Sequence, residues 1–117
     1  MAESCKGRVT KAYERSAADP IAVRAGEEVT LNGREYNWDG WTWLWCTSKA
    51  GKSGWVPEAY LELNALRASV RVDYKAIELT LTEGEGLQVE KEESGWCWCV
   101  KQSGESGWVP SRNIVRI

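Results

Sequence analysis

Gly54-Trp55-Val56-Pro57, followed by Tyr60-Leu61, returns as Gly107-Trp108-Val109-Pro110, followed by Asn113-Ile114. A wider frame repeats with it. Gly26-Glu27-Glu28 is echoed by Gly84-Glu85-Gly86, and Gly40-Trp41-Thr42-Trp43 by Gly95-Trp96-Cys97-Trp98. The Gly-Trp-Val-Pro copies lie 53 positions apart and the Gly-Trp copies 55. A fixed internal period marks a structural unit that occurs more than once. The chain therefore reads as two similar modules in tandem, each of somewhat over 50 residues.

Between these landmarks the apolar residues alternate. Ile21-Ala22-Val23, Val29-Thr30-Leu31, Leu79-Thr80-Leu81, Leu87-Gln88-Val89 and Trp41 to Trp45 all have period two, which places successive side chains on opposite faces of a strand. Gly and polar clusters separate them at Arg24 to Gly26, Ser48 to Gly54, Glu83 to Gly86 and Gln102 to Gly107. Short strands at this spacing with turn signals predict an all-β fold. A unit of this length holds about five strands of ordinary size, so two small five-stranded β-barrels in tandem are expected. Asn64-Ala65-Leu66-Arg67 is the one candidate linker. It is too short and too poor in Gly and Ser to act as a flexible tether, and its apolar Leu66 points to burial.

Composition removes several function classes. Fifteen basic and 17 acidic side chains, with a pI near 5.3, provide no basic footprint for nucleic acid. No run approaches the ~20 apolar residues of a membrane span, and Met1 to Gly7 has no signal-like apolar stretch. Cys5, Cys46, Cys97 and Cys99 lack a disulfide-framework spacing, and free thiols suggest a reducing, cytoplasmic setting. Cys97 and Cys99 alternate with Trp98, so they share one face. Their spacing is not that of a zinc site, and no metal or cofactor is expected. With no histidine in the chain, the commonest general base is missing. A non-catalytic protein is the reading.

The ordered landmarks resemble the Src homology 3 (SH3) family over nearly the whole chain. The first repeat has Tyr13, a long loop with Asp19, Ile21-x-Val23-x-x-Gly26-Glu27, Gly40-Trp41 and Gly54-Trp55-Val56-Pro57-x-x-Tyr60. The second has Val72-Asp73-Tyr74, Leu79-x-Leu81-x-x-Gly84-Glu85, Gly95-Trp96 and Gly107-Trp108-Val109-Pro110-Ser111-x-Asn113. The resemblance implies SH3-like domains at 7–63 and 68–117, joined by a short linker at 64–67. It also implies protein interaction through a groove for extended, proline-containing segments with a basic residue. Such a ligand is already extended and loses little entropy on docking.

By the same resemblance, the ligand-binding residues of the first domain are Tyr13, Glu14, Asp19, Trp41, Pro57 and Tyr60. Those of the second are Tyr74, Glu78, Trp96, Pro110 and Asn113. Lys11 and Val72 stand where the family usually has a further tyrosine, and Asn113 stands where the first repeat has Tyr60, so the first groove is the fuller one. Trp41, Trp43 and Trp45 share a face opposite the core expected at Leu44 and Cys99. Their number suggests either a partner surface or packing. The alternatives are a bacterial-type SH3 protein binding cell-wall peptide, or a self-associating structural module, a homo-oligomer, with no peptide groove.

Overall fold

The computed structural model describes residues 5–16 and 19–117. They form twelve β-strands and two single 3-10 turns, with no α-helix among the described residues. The strands are β1 (Cys5–Val9), β2 (Ala22–Val23), β3 (Glu28–Trp38), β4 (Trp41–Thr47), β5 (Ser53–Pro57), β6 (Leu61–Asn64), β7 (Arg67–Val70), β8 (Tyr74–Lys75), β9 (Gly86–Glu93), β10 (Trp96–Lys101), β11 (Ser106–Pro110) and β12 (Ile114–Arg116). The all-β expectation holds. Leu79 to Leu81 makes only isolated bridges, Glu78 to Trp108 and Leu81 to Tyr13, rather than a strand.

Two five-stranded antiparallel sheets have the orders β11-β10-β9-β1-β12 and β5-β4-β3-β7-β6. The orders match position for position, so β1 holds in one sheet the place that β7 holds in the other. Yet β1 opens the first repeat and sits among strands of the second, whereas β7 opens the second and sits among strands of the first. The compact units are accordingly 1–18 with 77–117, and 19–76. The two repeats have traded their first strands.

This corrects the linker. Residues 64–67 are the tip of a hairpin in which Leu61 pairs with Val70 and Asn64 with Arg67. Ala65 takes the positive φ of 56° that the tight turn needs. The sequence permits this because Leu61, Ala68 and Val70 alternate with exposed residues and bury one face. Leu66 projects from the tip at 71% exposure, so it is not buried.

The first strands contribute to the cores they enter. Val9 packs with Leu79, Leu81, Leu87, Val89, Cys97, Cys99 and Val109. In the 19–76 unit, Ile21, Val23, Val29, Cys46, Val56 and Val70 are all buried. Each such aliphatic side chain stabilises by about 1.5–3 kcal/mol when fully buried. The repeated glycine before Trp-Val-Pro is there for space. A Cβ on Gly54 would lie 2.8 Å from Ile21 Cγ2, and one on Gly107 would lie 3.0 Å from the Ile77 carbonyl oxygen.

Two hairpins set the aromatic register. Asp39-Gly40 joins β3 to β4 and Ser94-Gly95 joins β9 to β10, with both residues of each pair at positive φ. Two-residue loops of that kind match the twist of the strands they connect. Across the next ladders Trp43 faces Pro57 and Trp45 faces Trp55, while Trp96 faces Pro110 and Trp98 faces Trp108. The core expectation for β4 therefore needs correction. Cys46 and Trp43 are buried, and Leu44 is only half-buried.

Candidate functional site

In the unit containing 77–117, the chain brings together Tyr13, Glu14, Glu78, Trp96, Pro110 and Asn113. Tyr13 and Trp96 meet edge to face, 5.7 Å between ring centroids and 83° between planes. That geometry suits the ring quadrupoles. Both rings are half-buried, so each keeps accessible surface. The Tyr13 hydroxyl donates to Glu78 Oε1 at 2.9 Å. The same oxygen accepts from the Ser16 backbone N–H at 2.8 Å and the Ser16 hydroxyl at 2.9 Å. Burial holds the Tyr13 phenol above its ordinary pKa, and the adjacent Glu78 charge adds to the shift. Glu14 follows Tyr13 in the chain and is exposed.

Asn113 does a different job from Tyr60. It is buried, and its amide donates to the carbonyls of Lys11 at 3.2 Å and Ala12 at 3.3 Å. Its backbone carbonyl accepts from the N–H groups of Thr10 and Lys11. These contacts hold the stretch that leads into Tyr13.

The 19–76 unit holds Asp19, Trp41, Pro57, Tyr60 and Tyr74. Tyr60 and Tyr74 meet edge to face at 5.7 Å. Tyr74 is 4% exposed, with its hydroxyl donating to the Trp55 carbonyl at 2.9 Å. Asp19 pairs with Lys52 at 2.8 Å, with both side chains largely in solvent, so the pair is worth about 1 kcal/mol at most. Trp41 is 50% exposed near the tip of its hairpin.

A family model described as variant SH3 domain matches residues 6–63 and again 69–116. The chain belongs to the variant SH3 domain family. No solved structure matches it. SH3 domains are in general non-catalytic interaction modules with protein or peptide partners. The family matches follow the sequence repeats, whereas the compact variant SH3 units draw on both repeats.

The trade of strands rearranges the expected site residues. Tyr13 and Glu14 stand with Glu78, Trp96, Pro110 and Asn113, and not with Trp41, Pro57 and Tyr60. Tyr74 joins the latter group instead. The counterpart of Trp96 also differs from the expected one. Register against the proline makes it Trp43, which is 6% exposed, and not Trp41. The signal was in the sequence: Trp43 precedes Pro57, and Trp96 precedes Pro110, by the same 14 positions. The first hairpin arm is simply longer, and matching the Gly-Trp dipeptides paired the wrong tryptophans. Ser16 is a further participant that sequence reasoning missed. Only its contact with Glu78 marks it.

The remaining tryptophans are engaged in packing. Trp45 and Trp55 meet edge to face at 5.0 Å beneath the Arg34 guanidinium, which lies 4.9 and 5.3 Å from the two rings. Trp98 and Trp108 repeat the device at 5.4 Å, with the Lys91 ammonium 5.6 Å from the Trp108 ring. Each cation–π contact adds about 0.5–1 kcal/mol where solvent reaches it. All four cysteines are unpaired. Burial pushes the Cys46 thiol up to about 11 and the Cys99 thiol up to about 12, far from the activated thiolate of a nucleophile. Among the described residues no cluster of three or more His, Cys, Asp or Glu side chains is arranged for a metal. Among the described residues no helix is long and apolar enough to cross a membrane.

Proposed function

We propose that this protein is a non-catalytic interaction module whose Tyr13–Trp96 surface takes an extended, proline-containing segment with a basic residue. One observation carries the reading. Two half-buried rings stand nearly perpendicular at 5.7 Å, with the Glu78 carboxylate at the Tyr13 hydroxyl. Flat rings suit the ridges of a polyproline II ligand, and the carboxylate suits a flanking Arg or Lys. Pro110, in register with Trp96, is fully buried and offers a ligand no surface of its own, while the exposed Glu14 adds negative charge. In the 19–76 unit Trp43 and Tyr74 are almost fully buried. Asp19, Trp41 and Tyr60 there form the weaker site, and Pro57 is fully buried. Four unpaired thiols support a cytoplasmic setting.

The test is titration of the intact chain with a PxxP peptide carrying one arginine. Trp96→Ala should weaken binding about tenfold or more, as loss of an aromatic anchor does. Trp41→Ala should change it less than threefold, in the range of a peripheral contact. Circular dichroism establishes that both variants fold. If Trp41→Ala costs more than Trp96→Ala, the assignment to Tyr13–Trp96 is wrong.

A further inference from the structure

The two first strands fill equivalent slots, so a local arrangement is formally available in which each repeat keeps its own. Register makes Gly7 the counterpart of Ala68: Gly7 pairs with Leu87 and Arg116, as Ala68 pairs with Val29 and Leu63. The slots are not equally accommodating. A Cβ at Gly7 would lie 2.9 Å from Val89 Cγ2 and 3.3 Å from the Val115 carbonyl oxygen. Valine is stiff at χ1 and cannot swing that methyl away freely. The methyl of Ala68 therefore does not fit where Gly7 sits. Conversely, Ala68 is 1% exposed where it is, and a glycine there leaves a gap.

Polar contacts discriminate in the same sense. Tyr13 and Ser16 converge on Glu78. The residue in the equivalent place of the first repeat, just before the buried Ile21, is Pro20, whose side chain has no acceptor to offer them. Asp73 accepts from the Ala25 N–H at 2.9 Å, and Arg71 Nε donates to the Leu61 carbonyl at 3.1 Å. Their counterparts in the first strand segment, Ala12 and Thr10, have no comparable side chain.

We propose that Gly7 against Val89, Tyr13 and Ser16 on Glu78, and Asp73 and Arg71 on the 19–63 stretch form a pairing rule. By it, residues 77–117 select segment 5–16 and reject its homologue 67–76. The N-terminal segment is thus a built-in, sequence-selective ligand of the other repeat. The trade of strands is a requirement of this sequence and not one of two equivalent outcomes. The rule stands or falls without any external peptide.

The experiment is solution NMR on the isotope-labelled intact chain. Proton–proton contacts are expected from Gly7 to Leu87 and from Ala68 to Val29. Contacts from Gly7 to Val29 and from Ala68 to Leu87 would overturn the proposal. The reciprocal variant Gly7→Ala with Ala68→Gly should either show those local contacts or lose at least tenfold of amide exchange protection in the 77–117 unit. If it keeps the traded contacts at full protection, the side chains do not select and the rule is wrong. Should that variant fail to fold, Asp73→Ala offers a milder reading on the exposed side. It should lose threefold or more of protection within 19–76 and none within 77–117. Equal loss in both units, or no loss, counts against the rule.

Discussion

Gly107→Ala, compared with Gly86→Ala, isolates the steric reason for the repeated Gly-Trp-Val-Pro motif. The two glycines lie in the same unit, and neither has a positive φ. Replacing either by alanine reduces the freedom of the unfolded chain equally, which favours the folded state by about 0.4–1 kcal/mol in each case. In the native state the sites differ. The new methyl at 107 would lie 3.0 Å from the Ile77 oxygen, 3.2 Å from the Glu78 carbonyl carbon and 3.2 Å from Leu79 Cγ. Two of these are backbone atoms, which cannot rotate aside. At 86 the nearest atom is the Gln102 amide nitrogen at 3.8 Å, an ordinary contact with the end of a flexible side chain. Overpacking typically costs about 1–3 kcal/mol. Gly107→Ala should therefore fall below Gly86→Ala by about that amount, while Gly86→Ala should equal or slightly exceed the unmodified protein. At a urea dependence of about 1–3 kcal/mol per molar, the midpoints of the two variants should separate by about 1 M. Tryptophan fluorescence reads the transition, since Trp98 and Trp108 face each other in this unit. Coincident midpoints, or a higher one for Gly107→Ala, would refute the reasoning.

Tyr13, with its phenol pKa raised by burial and by Glu78, should ionise well above the ordinary tyrosine value. Its proton is retained in the folded state after the unfolded chain has lost it, so this contribution to stability is complete below about pH 10 and declines as pH rises further. An ultraviolet titration compared with Tyr13→Phe checks this. Cys46 and Cys99, both fully buried with raised thiol pKa values, should react with a disulfide reagent far more slowly than half-buried Cys5. Denaturant should abolish the difference. Glu85 accepts from the Thr82 N–H at 2.7 Å and pairs with Lys101 at 3.3 Å, contacts that lower its pKa. Its contribution is present above the unfolded carboxylate value and lost as pH falls through the depressed one. Glu85→Gln should flatten the acid side of the stability profile, measured as unfolding midpoint against pH.

The all-β class, the two repeats and the position of most turns were legible because each rests on local chemistry. Period-two alternation fixes strand faces, and the Gly-containing clusters at Arg24 to Gly26, Ser48 to Gly54, Glu83 to Gly86 and Gln102 to Gly107 each hold a glycine at positive φ, Gly26, Gly51, Gly84 and Gly104. The candidate site residues were legible as types and not as neighbours. Tyr13 and Tyr74 occupy equivalent places in their repeats, and both Trp96 and Trp43 stand 14 positions before a proline. A pattern that occurs twice does not say which copy of a strand meets which copy of its sheet.

That degeneracy is resolved by contacts too small for pattern reading. The difference between a glycine and an alanine at Gly7 and Ala68 is one methyl group, and a methyl added at Gly7 would lie 2.9 Å from Val89 Cγ2. Exchange also has a local cause. Once Leu61–Asn64 forms, the nearest available strand is Arg67–Val70, two residues away, and closing so short a loop costs little entropy. The first repeat's sheet then has its place for a first strand taken, and the N-terminal segment is left for the second repeat's sheet. On this argument the 64–67 turn and the Gly7 slot act together. Lengthening the turn weakens the local advantage of β7 but leaves the misfit of Ala68 against Val89 untouched. The traded arrangement should therefore survive a modest insertion after Ala65, and an insertion that restores locally paired strands would show that turn length alone governs the trade.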